Sequence, residues 1–290
     1  MFRIAHLSDL HLIEEGVRSR RGVSRIQLEY LSLLKKIDPV ARRERAQRAL
    51  AAAVAANADH VVITGDLTED GSPDQFDILR QLLDESGLRP EQLTVLSGNH
   101  DAHGMAWSEA LAGPLDRWTA HATPGAVIPL GDARMVHVHT SVIQPFWMSG
   151  GTAPSDQLEE VVKQASRSDR LVILAQHHPP FRLYNNWVHG LTNVAAVREL
   201  MLAHENVSLV YGHMHIERDV ELVAGEGPRA FAPCGVVTGD RPVRVYTIEG
   251  KRLVPTTPAA VGRAARRGTG MPDEARTQQE PSPPPPAEPG

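Results

Sequence analysis

Five short apolar runs, each ending in polar residues of a narrow chemical type, constrain this chain more than any other feature. Residues 2–8 stop at Asp9-Leu10-His11, and residues 60–64 stop at Gly65-Asp66. Residues 93–96 lead into Gly98-Asn99-His100-Asp101, residues 171–175 into His177-His178-Pro179-Pro180, and residues 207–211 into Gly212-His213-Met214-His215. Short runs rich in Val, Ile and Leu, bounded by Gly and Asp, read as buried strands. The segments between them, 42–56, 75–85, 156–165 and 194–204, read as helices, and Asp156 with Glu159 three residues on reads as a capping box. Strands alternating with helices specify an α/β fold, and ligands of such sheets bind in the crevice outside the carboxyl ends of the strands. The polar residues fall at those ends. Further strands over 133–139, 218–222 and 243–248 make the sheet large or doubled, and no internal repeat is present.

Length and composition narrow the class. A chain of 290 residues, 41% hydrophobic and 22% charged, is enough for one large domain over residues 1–254. From about Pro255 the composition shifts to Ala, Arg and Gly and then to a proline run, so residues 255–290 are expected to form a disordered tail, with a ligand for a proline-binding module as the alternative use. A net charge of −5 gives no blanket attraction to a polyanion, so a nucleic-acid polymer is disfavoured as partner, as is a membrane surface. The single cysteine, Cys234, excludes an internal disulfide and fits a reducing compartment. No signal-like segment precedes the first strand, and no apolar run approaches the ~20 residues a spanning helix needs. A cytoplasmic protein is the expectation.

Each motif alone is common; the ordered set is a complete ligand set for two metal ions. Carboxylates, a carboxamide oxygen and neutral imidazoles, with no thiolate, suit manganese, iron or zinc in a reactive centre rather than a structural zinc cage. Asp66 is the natural bridge, since a carboxylate can give one oxygen to each cation. Asp9, His11 and His215 would complete one ion, and Asn99, His177 and His213 the other. His213 and His215 face the same way on an extended segment, whereas in a turn they reach different ions. Two divalent cations about 3.5–4 Å apart activate a water and neutralise the charge that grows on a phosphoryl group during in-line displacement.

The set Asp-x-His, Gly-Asp, Gly-Asn-His-Asp, His and Gly-His-x-His, spanning Asp9 to His215, resembles the calcineurin-like metallophosphoesterases. That resemblance implies a four-layer α/β/β/α sandwich with a dinuclear site at the strand ends and the metal assignment given above. It also implies His100 as the catalytic residue that contacts the phosphate and helps protonate the leaving group. The stretches Gly65 through Pro73 and His177-His178-Pro179-Pro180 look most like those of bacterial class III cyclic nucleotide phosphodiesterases and related glycerophosphodiesterases. The implied activity is hydrolysis of a small phosphodiester by a metal-bridging hydroxide. Phosphomonoesters, lipid-linked pyrophosphates and nucleic acids would use the same ligands. A metal-stabilised scaffold without activity is the reading from another class, but such a scaffold usually lacks ligands or the histidine at position 100, and here both are present.

Some positions depart from the pattern. Many members carry an Asp three residues after the bridging carboxylate; this chain has Glu69, which leaves open the group that orients His100. His177 is taken as the ligand because it comes first after the strand, and His178, Asp101 and Glu69 are candidates to support the ligands from behind. Residues His139-Thr140-Ser141 stand where relatives often have an Asp. His6, His60, His121, His137 and His204 belong to no motif and read as packing or surface residues; His103 and His189 lie near motif loops. Phe146, Trp147, Phe181, Tyr184 and Trp187 fall in loops after strands, where they would anchor the loop or stack a base or sugar. Residues 14–39, with an Arg-rich start, form a long excursion that could serve as a lid, as a homodimer contact or as plain surface.

Overall fold

The computed structural model describes residues 1–32, 36–167, 169–238, 241 and 243–256. Its elements run β1 (Arg3–Leu7), α1 (Gly22–Leu31), α2 (Pro39–Ala55), β2 (His60–Ile63), α3 (Pro73–Glu85), β3 (Leu93–Val95), α4 (Trp107–Ala112), β4 (Val127–Leu130) and β5 (Ala133–His137). They continue with α5 (Ser155–Arg167), β6 (Val172–Ala175), α6 (Asn186–His189), α7 (Val194–Ala203), β7 (Val207–Val210), β8 (Arg218–Val220), β9 (Ala230–Ala232), β10 (Arg244–Glu249) and β11 (Arg252–Thr256). The strands make two sheets, ordered β11-β10-β1-β2-β3 and β4-β5-β6-β7-β9-β8. The parallel pairs β1/β2, β2/β3, β5/β6 and β6/β7 set the motif-bearing ends side by side within each sheet.

The period of two along the strands explains the layering. In the first sheet Ala5, Leu7, Val61 and Ile63 face a cluster with Ala46, Leu50, Phe76 and Leu83 of α2 and α3. The alternate residues Ile4 and Val62 join Ile173, Val210, Phe231 and Tyr246 in the layer between the sheets. Val172, Leu174 and Leu209 turn outward to Val161 of α5 and Val197 and Met201 of α7. Both faces of both sheets are thus covered, giving the α/β/β/α sandwich, and this is why the central runs are almost continuously apolar. Pro at N1 and a cap bond from Asp38 Oδ1 to the Ala41 amide (3.1 Å) fix the start of α2.

Sequence and structure differ in places. β4, β9 and β11 carry no motif and are not among the strands expected from the sequence. Helix α5 begins at Ser155, so Asp156 lies inside its first turn rather than at the cap. Within 14–39, α1 carries Leu28 into a small cluster with Ile13, Val17 and Ile37, and Arg20 pairs with Glu14 (2.6 Å) and with Asp70. The excursion is therefore anchored to the loop that follows the second motif. β11 continues through Thr256, and the remainder of the expected tail, 257–290, lies outside the described residues. Among the described residues no helix is long and apolar enough to cross a membrane.

Two predictions follow from this packing. Phe76 is wholly buried beneath the first sheet, so Phe76→Ala should cost about 3–5 kcal/mol, read as a drop in urea midpoint. His6, bonded to Thr64 Oγ1 (2.9 Å), and His60, bonded to Thr94 Oγ1 (2.8 Å), are held neutral. Burial, with a smaller push from Arg244 on His6 and from His121 on His60, lowers each from 6.5 to about 3. Their neutral forms contribute stability that is complete above pH 6.5 and is lost as pH falls toward 3, at up to about 1.4 kcal/mol per pH unit for each. Urea melts of metal-free protein should show a lower midpoint at pH 5 than at pH 7, and equal midpoints would contradict this account.

Candidate metal centre

The motif residues leave their strands through left-handed backbone. Among the described residues six non-glycine positions have positive φ, and Asp9 (57°), His11 (49°), Asp66 (49°), His213 (71°) and His215 (56°) are five of them. Such conformations cost of order 1–3 kcal/mol each and persist only where the surroundings over-determine them. Here the motif loops hold one another. Asp9 N donates to Gly65 O (3.0 Å), His11 N to Asp66 O (2.9 Å) and Val237 N to Asp9 O (3.0 Å). Gly98 passes so close to Asp66 that a Cβ would lie 2.2 Å from its amide nitrogen, and one at Gly212 would lie 1.9 Å from Ser8 Oγ. Glycine is required at both points by space.

These loops bring all seven expected ligands together in two groups that share Asp66. Ligand atoms of Asp9, His11, Asp66 and His215 lie within 4.8 Å of one another, as do those of Asp66, His177 and His213. Asn99 joins the second group, its Oδ1 lying 3.0 Å from His177 Nε2 and 2.9 Å from His213 Nδ1. His213 and His215 turn into different groups, as a turn rather than a strand permits. His177 is inside the site, 3.4 Å from Asp66. His178 points away, its ring bonded to Thr140 Oγ1 (2.8 Å) and Ser149 O (3.0 Å), and burial followed by the charge of His177 lowers it to about 3.

The chemistry of this donor set fits cations. His177 Nδ1 donates to Thr64 O (2.7 Å) and His213 Nε2 to His189 O (2.9 Å), which turns His177 Nε2 and His213 Nδ1, 3.3 Å apart, into the site. Burial lowers His177 but the charge of Asp66 outweighs it and raises the ring to about 9, so a cation would bind at Nε2 in place of a proton. Asn99 turns its carbonyl oxygen toward both nitrogens, while its Nδ2 is buried with no partner. A hydrogen-bonded network would favour the opposite amide orientation; ligation requires this one. In the other group His11 Nδ1 lies 3.1 Å from the Glu69 carboxylate, so the lone pair of Nε2 faces Asp66 Oδ2 (3.6 Å) and His215 Nε2 (3.0 Å). Asp9 Oδ2 is buried with no partner, a cost that a cation removes. Burial, then His178 and His177, keep His213 well below its usual value, in the neutral form that ligates. Burial alone would raise Asp66, but His177, His100 and His11 outweigh it and hold this carboxyl well below the usual range.

Residues behind the ligands take definite roles. Asp101 accepts from Gly98 N (2.7 Å), Leu67 N (3.1 Å), Thr68 N (2.9 Å) and Thr68 Oγ1 (2.6 Å), and so ties the second motif to the third. Burial and then the charge of Asp66 push it up to about 7, against those hydrogen bonds. The open question of what orients His100 has a main-chain answer. His100 Nδ1 donates to the Glu69 carbonyl (2.7 Å) and His100 N to Asp66 Oδ1 (2.9 Å). The Glu69 side chain goes elsewhere, to His11, to Ser32 Oγ (2.8 Å) and to Arg42 (2.5 Å), with Glu69 and Arg42 both wholly buried. Sequence reasoning missed Arg42, Thr64 and the carbonyls of Ser149 and His189. Arg42 is one arginine among several in a helical segment, and main-chain acceptors carry no side-chain signal.

A doubled sheet with two ligand groups sharing one carboxylate at its strand ends defines a metal-dependent phosphoesterase. The family model for calcineurin-like phosphoesterases matches residues 2–217, and the chain belongs to that family. It is 26% identical over 226 residues to a 3',5'-cyclic adenosine monophosphate phosphodiesterase of Pseudomonas aeruginosa, covering 74% of this chain and 70% of that protein. It is 24% identical over 218 residues to a 3',5'-cyclic-nucleotide phosphodiesterase of Nostoc sp., covering 74% of this chain and 71% of the relative. A dimetal phosphatase structure from Danio rerio aligns with a TM-score of 0.62 at 16% identity, over 85% of this chain and 92% of that one, and supports the fold.

Glu69→Gln keeps the shape of the buried relay but removes the charge that strengthens His11 as a donor. It should weaken manganese at the ion held by His11 by about 10- to 100-fold, and affect the ion held by Asn99 less. Chelator competition on the apo-protein measures both, and unchanged affinity for the two ions would assign Glu69 to the fold alone.

Proposed function

We propose that the protein is a dinuclear metal-dependent phosphodiesterase whose substrates are small phosphodiesters of the cyclic nucleotide type. The observation that carries this reading is the pair of ligand groups meeting at Asp66, with His100 fixed beside them. The two relatives named as cyclic nucleotide phosphodiesterases point to the substrate class. Asp9, His11 and His215 would hold one ion and Asn99, His177 and His213 the other, with Asp66 shared between the groups; manganese, iron and zinc all suit these donors. When bound, such a pair supplies an ionised water near neutral pH and offsets the charge on the phosphoryl group.

The chain's own residues do the rest. His100 is held at two points, through its amide to Asp66 and through Nδ1 to Glu69 O. Nε2 would meet a phosphoryl oxygen and hand a proton to the departing alkoxide. The ring stands edge-on to His11, with centroids 4.5 Å apart, so the group that protonates and a group that ligates keep a fixed spacing. The net charge of −5 counts against a nucleic-acid polymer as substrate. All the ligands and His100 are present, which sets the reading apart from an inactive scaffold.

With manganese, turnover of bis(p-nitrophenyl) phosphate should exceed that of p-nitrophenyl phosphate, and cyclic AMP should be hydrolysed. His100→Ala should lower kcat by about 10²- to 10⁴-fold while two equivalents of metal remain bound. Faster monoester turnover would make the protein a phosphatase, and a His100→Ala enzyme as active as wild type would remove His100 from the chemistry.

A further inference from the structure

Two loops form one wall of the metal centre and carry an unusual surface. The loop after β5 and the segment around α6 are joined by Ser149 N to Val188 O (2.8 Å), Gly151 N to Gly190 O (3.0 Å) and Ser149 Oγ to His189 Nδ1 (2.7 Å). Both reach the motif histidines directly. His189 O takes the proton of His213 Nε2 (2.9 Å), and Ser149 O takes that of His178 Nε2 (3.0 Å). Two residues before each of these anchors stands a tryptophan, Trp147 before Ser149 and Trp187 before His189.

Both rings are in water, Trp147 53% and Trp187 75% exposed, and Tyr184 nearby is fully so. Only 4% of the chain is aromatic, yet the four exposed aromatic side chains among the described residues all belong to this neighbourhood. The fourth, Tyr30 of α1, meets Phe146 at 5.4 Å between centroids, and Phe146 meets Trp147 at 5.2 Å. Single exposed apolar residues are ordinary, but several on two hydrogen-bonded loops mark a contact surface.

We infer that this aromatic shelf, centred on Trp147 and Trp187, is the subsite for the nucleobase of the substrate. The inference rests on the phosphodiesterase reading and deepens it. Phosphate held at the two ligand groups places whatever it esterifies beside the loops that carry His189 and Ser149. A flat base one ribose away has π faces to stack on indole, whereas a glycerol or choline moiety has no flat ring. Stacking on such a platform tolerates any base, so the shelf selects nucleotides as a class and leaves the choice among bases to other contacts.

The test is calorimetry of the manganese-loaded protein with adenosine 5'-monophosphate beside ribose 5-phosphate, which presents the same phosphate and sugar without the base. Wild type should bind the nucleotide about 10- to 100-fold more tightly. A Trp147→Ala/Trp187→Ala variant should lose most of that ratio, and Trp147→Phe/Trp187→Phe should keep it. Equal affinities in wild type, no binding of either ligand, or a ratio that survives the double alanine change would overturn the assignment. So would light scattering that shows a wild-type dimer split by the alanine variant with the ratio intact, because the shelf would then be a subunit contact. Diester hydrolysis measured in parallel separates the two readings. Turnover without nucleotide preference sinks the shelf alone, and nucleotide preference without turnover sinks the phosphodiesterase reading alone.

Discussion

Mutual repulsion among the acceptor atoms gathered around Asp66 is the constraint on which the rest of the site depends. His177 Nε2, His213 Nδ1 and Asn99 Oδ1 lie within 3.3 Å of one another, all turned toward one point. Left alone, such a set would turn an amide, protonate a ring or spread apart. Without a cation, burial lowers His177 but the charge of Asp66 outweighs it and raises the ring to about 9, while Thr64 O fixes which nitrogen of His177 faces the site and His189 O does the same for His213. Bound cations would turn that repulsion into ligation, with the fold preparing the site beforehand.

Holding that arrangement requires backbone that few side chains tolerate, and the sandwich supplies the support. The left-handed residues Asp9, His11 and Asp66 sit at the ends of β1 and β2, whose side chains are buried on both faces. Strands clamped between a helical layer and a second sheet have little freedom to relax the strain at their ends. Ser8 N-terminal to the first motif and Gly212 in the last interlock so tightly that no side chain fits between them. Strain, burial and charge are concentrated on one edge of the molecule, where a structure optimised for stability alone would not place them.

Much of this was legible in the sequence because strand ends and ligand types are local signals. The runs before Asp9, Gly65, Gly98, His177 and Gly212 gave both the strands and the edge to which they deliver side chains, and the structure brings all seven expected ligands to one place. The parts that stayed hidden depend on distance along the chain. Arg42 reaches Glu69 from a helix 27 residues earlier, and its burial has no trace in a segment that reads simply as a helix. β4, β9 and β11 owe their conformation to pairing with β5, β7 and β10 rather than to their own pattern. The Glu69 substitution looked like a loss of the group that orients His100. The main-chain carbonyl of the same residue fills that role, and the longer side chain is released to buttress His11.

That exchange also ties residues 14–39 to the chemistry. Ser32 at the end of α1 donates to Glu69, Arg20 pairs with Asp70 beside it, and Tyr30 on the outer face of α1 leads through Phe146 to Trp147. The segment from Arg20 to Ser32 thus touches the loop of Asp70, the Glu69 relay behind His11 and the pair of Phe146 and Trp147. An ordinary surface loop would leave the ligands indifferent to its sequence. Here a change near the end of α1 would reach both the Glu69 relay behind His11 and, through Tyr30 and Phe146, Trp147.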